Sequence, residues 1–345
     1  MPSGCSGKRR RMPQRYTNPQ ATLCFNPSLD PCRDVLFSYL FSHQIPRFFS
    51  TIIVSTTMTS STTAAPFSLT KHLLSLEPEE FKAATQHPFL LAAAKGTLPK
   101  DVLSHWLVND RLYIHAYIRA AGQLLASLEL PKHLPGVEQP GEEDEAFEVR
   151  LVDWLIEALG AVRREERMFL EVGGRYELVD FVGVNSREAG RVKGLGVIEG
   201  LFRDVGGKEK GRGLGAWLLG AGGGELPMSE KIPWLEGAVT FWGTERVYLE
   251  AWSWARGQQE ERPNGKKDED GGALRKEFIP NWSSDEFRGF VGRLGVLIDQ
   301  AVEREIGMVG EDGQKQEEVK KEILGRVEGK WRTLLEGEKG FWPDV

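Results

Sequence analysis

Beyond residue 66 the apolar positions recur at steps of three and four, the spacing of one face of an α-helix, and almost nowhere at steps of two. Residues 67–94 read as one helix or two, broken near Pro78. Leu98-Pro99 opens the next, with Pro99 in the first turn, where its missing N–H costs nothing. Leu103, Trp106, Asp110, Tyr113 and Tyr117 share one face of it, and Pro131 and Pro135 end it. An acidic loop at 142–145 leads to a second long helix over 147–170, with Leu151, Trp154, Leu155, Leu159 and Val162 among its apolar positions. A weaker helix is expected over 187–205. Another runs from Pro233 to Arg256 and is dense in Trp. Ser283 and Glu286 have the spacing of a capping box, ahead of a stripe of Phe287, Phe290, Val291, Leu294, Leu297 and Ile298. A last helix covers 317–337, with Val319, Ile323, Val327, Trp331 and Leu334 or Leu335 facing in. Long helices joined by loops predict an all-α domain packed as a multi-helical bundle.

The same pattern divides the chain. Residues 1–65 show no helical or strand period and are rich in Ser, Thr and Pro. Through residue 76 there are eight Lys and Arg against two Asp, and no Glu precedes Glu77. Such a segment reads as a disordered basic leader: a mitochondrial-type transit peptide, or an extension ahead of a true start at Met58. The folded domain is expected over 66–345, with a Gly-rich loop insertion near 206–226 and a charged linker at 257–275. A cytoplasmic location is expected, or a mitochondrial one if the leader is a transit peptide. The stretch from Val35 to Ser55 is broken by His43, Pro46 and Arg47, and no run of 18 uncharged apolar residues occurs, so no membrane partner is expected. The net charge of −6 argues against a chain that grips nucleic acid through bulk charge.

Candidate chemistry is narrowed by what is missing. All three cysteines, Cys5, Cys24 and Cys32, precede the folded domain, and no His follows His133. A thiolate nucleophile and a His-based mechanism in the C-terminal half are thereby excluded. Gly211, Gly213 and Gly215 lack the Lys-Ser/Thr ending of a phosphate loop and a strand before it. Asp110, by contrast, interrupts an apolar stripe, and a carboxylate there needs a partner or a wet pocket. Tyr113 and Tyr117 add ring faces and hydroxyls suited to a flat heteroaromatic ligand. Thr244, Tyr248 and Trp252 line one face of the Trp-rich helix, with Glu245 and Glu250 on other faces. For every one of these residues ordinary core packing or a solvated helix face is the competing reading.

Three short motifs at matching spacing carry a resemblance: His87-Pro88-Phe89, then Gly96-Thr97-Leu98-Pro99, then Trp106-Leu107 with Asp110 and Tyr113. They resemble the opening of the TenA family, the thiaminase II and PqqC-like proteins with a haem-oxygenase-like all-helical fold. The likeness covers residues 68–130 well and 230–345 loosely. It implies that Asp110 holds an aminopyrimidine, that Tyr113 and Tyr248 line the pocket, and that Glu338, three residues before Phe341-Trp342, serves as acid/base. It places the family's nucleophilic Cys at Thr244, so a thiol route is impossible here.

The resemblance therefore implies C–N bond hydrolysis on an aminopyrimidine in thiamine salvage, by water that Glu338 and Asp110, with Glu245, activate. The alternative is a catalytically silent relative that binds a small aromatic ligand or serves as an assembly partner. No cofactor or metal is expected. Haem would need a proximal His such as His72 or His87, the latter already part of the His-Pro-Phe turn, and a di-iron centre needs His ligands from later helices. Relatives are often homo-oligomers, which extends the expectation to this chain.

Overall fold

The structure, a computed structural model, describes residues 66–131, 146–178, 190–205, 232–261 and 265–345. The leader, the acidic loop at 142–145 and the Gly-rich loop near 206–226 lie outside them. The described residues form helices with no strand among them: α1 Leu69–Leu76, α2 Pro78–Thr85, α3 Pro88–Lys95, α4 Lys100–Ser127, α5 Phe147–Arg175, α6 Lys193–Arg203, α7 Leu235–Gly257, α8 Ile279–Trp282, α9 Asp285–Gly307 and α10 Gly313–Lys339. This is the expected all-α bundle. No described helix is long and apolar enough to cross a membrane.

Residues 67–94 hold three helices rather than one or two. Pro78 starts α2 and Pro88 starts α3, each at a first-turn position that needs no N–H partner. His87 caps α3 by accepting the Phe89 N–H at 3.2 Å. Gly96, at φ 66°, ends α3, and the Thr97 N–H returns to the Ala92 carbonyl at 2.9 Å. That left-handed turn favours Gly, because a side chain there is strained. Pro99 is the N-cap of α4 rather than part of its first turn.

Two further expectations are corrected. The 187–205 helix starts only at Lys193, since Gly190 to Val192 are extended or irregular. There Asn109 accepts the Val192 N–H at 3.0 Å and donates to the Gly190 carbonyl at 3.1 Å. The capping box is displaced by one residue. A π-helical turn, Leu274–Phe278, runs into α8, so Ser283 still belongs to that unit and donates to the Ile279 carbonyl at 2.6 Å. Ser284 is the cap of α9, accepting from the Phe287 N–H at 3.1 Å, which puts Phe rather than Glu286 at the third helical position.

The long helices enclose one aromatic core. Trp106, Trp252, Trp282 and Trp342 stack and edge against one another at ring separations of 4.7 to 5.7 Å. Trp342 is tied to α2 by its indole N–H, which donates to the Ala84 carbonyl at 2.8 Å. At the α6–α10 crossing Gly194 lies against α10 so closely that a Cβ would sit 1.8 Å from the Gly337 carbonyl oxygen. Only Gly permits that approach, which seats α6 beside Glu338. Within the charged segment at 257–275, Asp270 is buried and accepts the N–H groups of Gly272 and Leu274 at 2.8 and 2.7 Å.

Candidate active site

A cavity of about 360 Å³ opens between α4, α5, α7, α8 and the start of α9. Asp110, Tyr113, Tyr117, Thr244 and Tyr248, five of the six expected site residues, line it. The sixth, Glu338, is fully buried on α10 and reaches the cavity wall through Tyr113, whose hydroxyl donates to Glu338 Oε1 at 3.1 Å. A more open cleft of about 780 Å³ by His87, His105 and Trp342 is lined by none of the six.

The helix faces explain the convergence. Asp110, Tyr113 and Tyr117 are one stripe of α4, and Thr244 and Tyr248 are one stripe of α7. Where the stripes meet, the Tyr248 hydroxyl donates to Asp110 Oδ1 at 2.5 Å. Tyr113 packs its ring edge-on against Phe202 of α6 at 5.4 Å, and Tyr117 packs against Phe241 at 4.7 Å. Thr244 is buried, and its hydroxyl donates back to the Phe241 carbonyl at 2.9 Å. That bond directs its proton to a backbone carbonyl rather than to a carboxylate.

Two cavity carboxyls extend the set. Glu245 was expected on a face apart from Thr244 and Tyr248, yet it lines the same cavity, because the cavity wraps round α7 toward α5. Glu250 stays outside, paired with Arg246. Glu165 on α5 escaped the sequence reading altogether. It lines the cavity and accepts a hydrogen bond from the Trp282 indole N–H. Its signal was present in the sequence: it continues the inward stripe three residues beyond Val162. The next residue, Glu166, is buried for another reason, paired with Arg111, Arg163 and His115.

Four carboxyls at the site, Asp110, Glu165, Glu245 and Glu338, bind their protons more tightly than exposed carboxyls do. Burial pushes Glu245 up to about 8, opposed by the Tyr117 hydroxyl and reinforced by Glu165. Burial likewise raises Glu338 to about 8, opposed by the bond from Tyr113 and reinforced by Glu245. Glu165 is raised by burial to about 7, against the bond from Trp282. Asp110 is pushed well above the usual carboxylate range, first by burial and then by Glu165. Among the described residues Arg164 is the one basic residue lining the cavity, at an exposed position. Such a pocket favours a ligand that brings donors or positive charge. Among the described residues no group of three or more His, Cys, Asp or Glu side chains could hold a metal ion.

An all-helical bundle with an acidic, tyrosine-walled pocket between its helices defines the class. Residues 78–167, about a quarter of the chain, match the sequence model of the TENA/THI-4/PQQC family. A "TenA family transcription regulator" from Silicibacter sp. TM1040 shares the fold at a TM-score of 0.51 and 14% identity, over 80% of this chain and 96% of that one. A TenA homologue from P. horikoshii OT3 superposes at 0.50 with 15% identity, over 80% and 99%. A "Probable transcription factor" of Fusarium pseudograminearum (strain CS3096) is 22% identical over 262 residues, which are 68% of this chain and 45% of that protein. The chain thus spans less than half the length of that relative.

Proposed function

We propose that this chain binds an aminopyrimidine-like heteroaromatic amine in the 360 Å³ cavity and hydrolyses a C–N bond on it without a thiol. One observation carries the reading: five carboxyls and three tyrosines converge on one cavity whose acids outnumber its bases. Asp110 pairs with the ring nitrogen and its amino group, the bidentate arrangement in which a carboxyl and an aminopyrimidine complement each other. Tyr113, Tyr117 and Tyr248 supply ring contacts for a flat ligand. Carboxyls raised to between about 7 and 8, such as Glu165, Glu245 and Glu338, exchange protons near neutral pH, as acid/base catalysis requires. The match of residues 78–167 to the TENA/THI-4/PQQC family model supports a role in thiamine salvage.

A second reading, ligand binding without turnover, is favoured by Thr244. Its hydroxyl stands where a nucleophile is expected and is engaged by the Phe241 carbonyl. Calorimetric titration of the full chain with 4-amino-5-hydroxymethyl-2-methylpyrimidine, followed by an amine-release assay on its amino and formylamino derivatives, separates the readings. Binding that vanishes in Asp110→Asn, with turnover in the parent, supports hydrolysis. Binding without turnover supports the silent ligand binder. No heat from a folded protein overturns both.

A further inference from the structure

Two of the cavity's five carboxyls are held at one oxygen by an aromatic side chain's donor. Asp110 Oδ1 on α4 accepts the Tyr248 hydroxyl at 2.5 Å, and Glu165 Oε1 on α5 accepts the Trp282 indole N–H. The second oxygen of each takes no hydrogen bond among the described residues, and both side chains line the cavity. The remaining three differ. Both oxygens of Glu157 accept from Arg293, at 2.6 and 2.7 Å. Glu286 is exposed in the first turn of α9. Glu245 has a rotatable hydroxyl, that of Tyr117, as its neighbouring donor. Arg164, next to Glu165 in the chain, is exposed and makes no ion pair with it.

The donor that holds Glu165 is itself fixed. An indole N–H lies in the ring plane and moves only with the ring. The π-helical turn Leu274–Phe278 and α8 set Trp282 in the aromatic core, where it is buried. It stacks on Phe278 at 5.0 Å, lies 4.7 Å from Trp252, and meets Trp106 and Tyr248 edge-on at 5.6 and 6.1 Å. The Trp282 ring thereby sets the direction of Glu165 Oε1 and leaves the other oxygen to the cavity. Of the carboxyls around Asp110, Glu165 acts on it most strongly, ahead of Glu338 and Glu245.

We propose that Glu165 is a second ligand-binding carboxyl, which takes a hydrogen-bond donor on the substituent of a ring held by Asp110, and that Trp282 is a positioning residue acting through it. The assignment rests on the aminopyrimidine-binding reading above and not on turnover. A donor that meets an oriented carboxylate makes a charge-assisted bond, about twice as strong as a neutral one. A substituent without a donor leaves that carboxylate in the cavity with nothing to replace its water, so the site rejects the analogue that lacks the donor. Glu165→Gln reverses the polarity of the contact. Its amide oxygen accepts from the fixed Trp282 N–H, which turns the NH2 group toward the ligand, donor against donor.

The test is calorimetric titration of the full chain with three ligands that differ only in the arm at ring position 5. They are 4-amino-5-aminomethyl-2-methylpyrimidine, its 5-hydroxymethyl counterpart, and 4-amino-2,5-dimethylpyrimidine, whose arm has no donor. The parent should bind the two donor-bearing ligands at least ~10-fold tighter than the dimethyl compound. In Glu165→Gln that preference should fall to ~3-fold or less, with affinity for the dimethyl compound within ~3-fold of the parent. Trp282→Phe removes the indole N–H and frees the carboxylate to turn, so its preference should fall at least ~3-fold, again with the dimethyl compound little affected. A loss of stability alone would lower all three affinities together and leave their ratio unchanged. A parent without the preference, or a preference that survives Glu165→Gln and disappears in Glu245→Gln, overturns the assignment and leaves the aminopyrimidine reading intact. A folded parent that binds none of the three overturns both.

Discussion

Glu338 offers a quantitative check on the electrostatics that needs no ligand. It is fully buried and keeps its proton up to about pH 8, whereas an exposed Glu loses it near 4.5. Between those values the folded chain binds one proton more at this position than the unfolded chain. Because folded-state proton affinity is raised, the stabilising contribution is complete below pH 4.5 and is lost as pH rises toward 8. The slope for one proton is about 1.4 kcal/mol per pH unit, so the loss from pH 5.5 to 7.5 approaches ~2.7 kcal/mol. Glu338→Gln keeps an oxygen to accept the Tyr113 hydroxyl and cannot ionise. Its stability relative to the parent should therefore rise by ~2–3 kcal/mol over that interval, whatever constant offset the substitution brings. Urea unfolding followed by tryptophan fluorescence at four pH values measures the difference. A gap between parent and variant that stays constant from pH 5.5 to 7.5 would refute the claim that Glu338 is buried with its proton.

Two further predictions test how the site is built. Thr244→Val should leave turnover and aminopyrimidine affinity within ~3-fold, because the hydroxyl bonds the Phe241 carbonyl rather than the cavity; a ~100-fold loss would make Thr244 the nucleophile. Gly194→Ala should cost ~2–4 kcal/mol in chemical denaturation, since its Cβ would lie 1.8 Å from the Gly337 carbonyl and push α6 off α10; a melting temperature unchanged within 1 °C would sink that packing argument.

The sequence by itself determined the helices and much of the wall. The three-and-four spacing named the α4 stripe of Asp110, Tyr113 and Tyr117 and the α7 stripe of Thr244 and Tyr248, because a helix turns its residues by a fixed angle whatever surrounds it. The missing Cys and His were equally legible, since an element absent from the chain cannot be supplied by folding. What lies between two helices is not encoded in the period of either. Glu245 reads as an outward residue of α7 when that helix is taken alone, and only the position of α5 turns its face into a cavity wall. Glu165 belongs to the apolar stripe of its own helix, but the Trp282 indole that anchors it comes from 117 residues further along. The capping position of α9 likewise depended on where the α8 turn ended, a matter of tertiary packing around Trp282. The depth of Glu338 was the largest decision left to the fold. Its place three residues before Phe341-Trp342 marks it as a candidate, but burial behind Tyr113 decides that it keeps its proton and reaches the cavity only through a neighbour's hydroxyl.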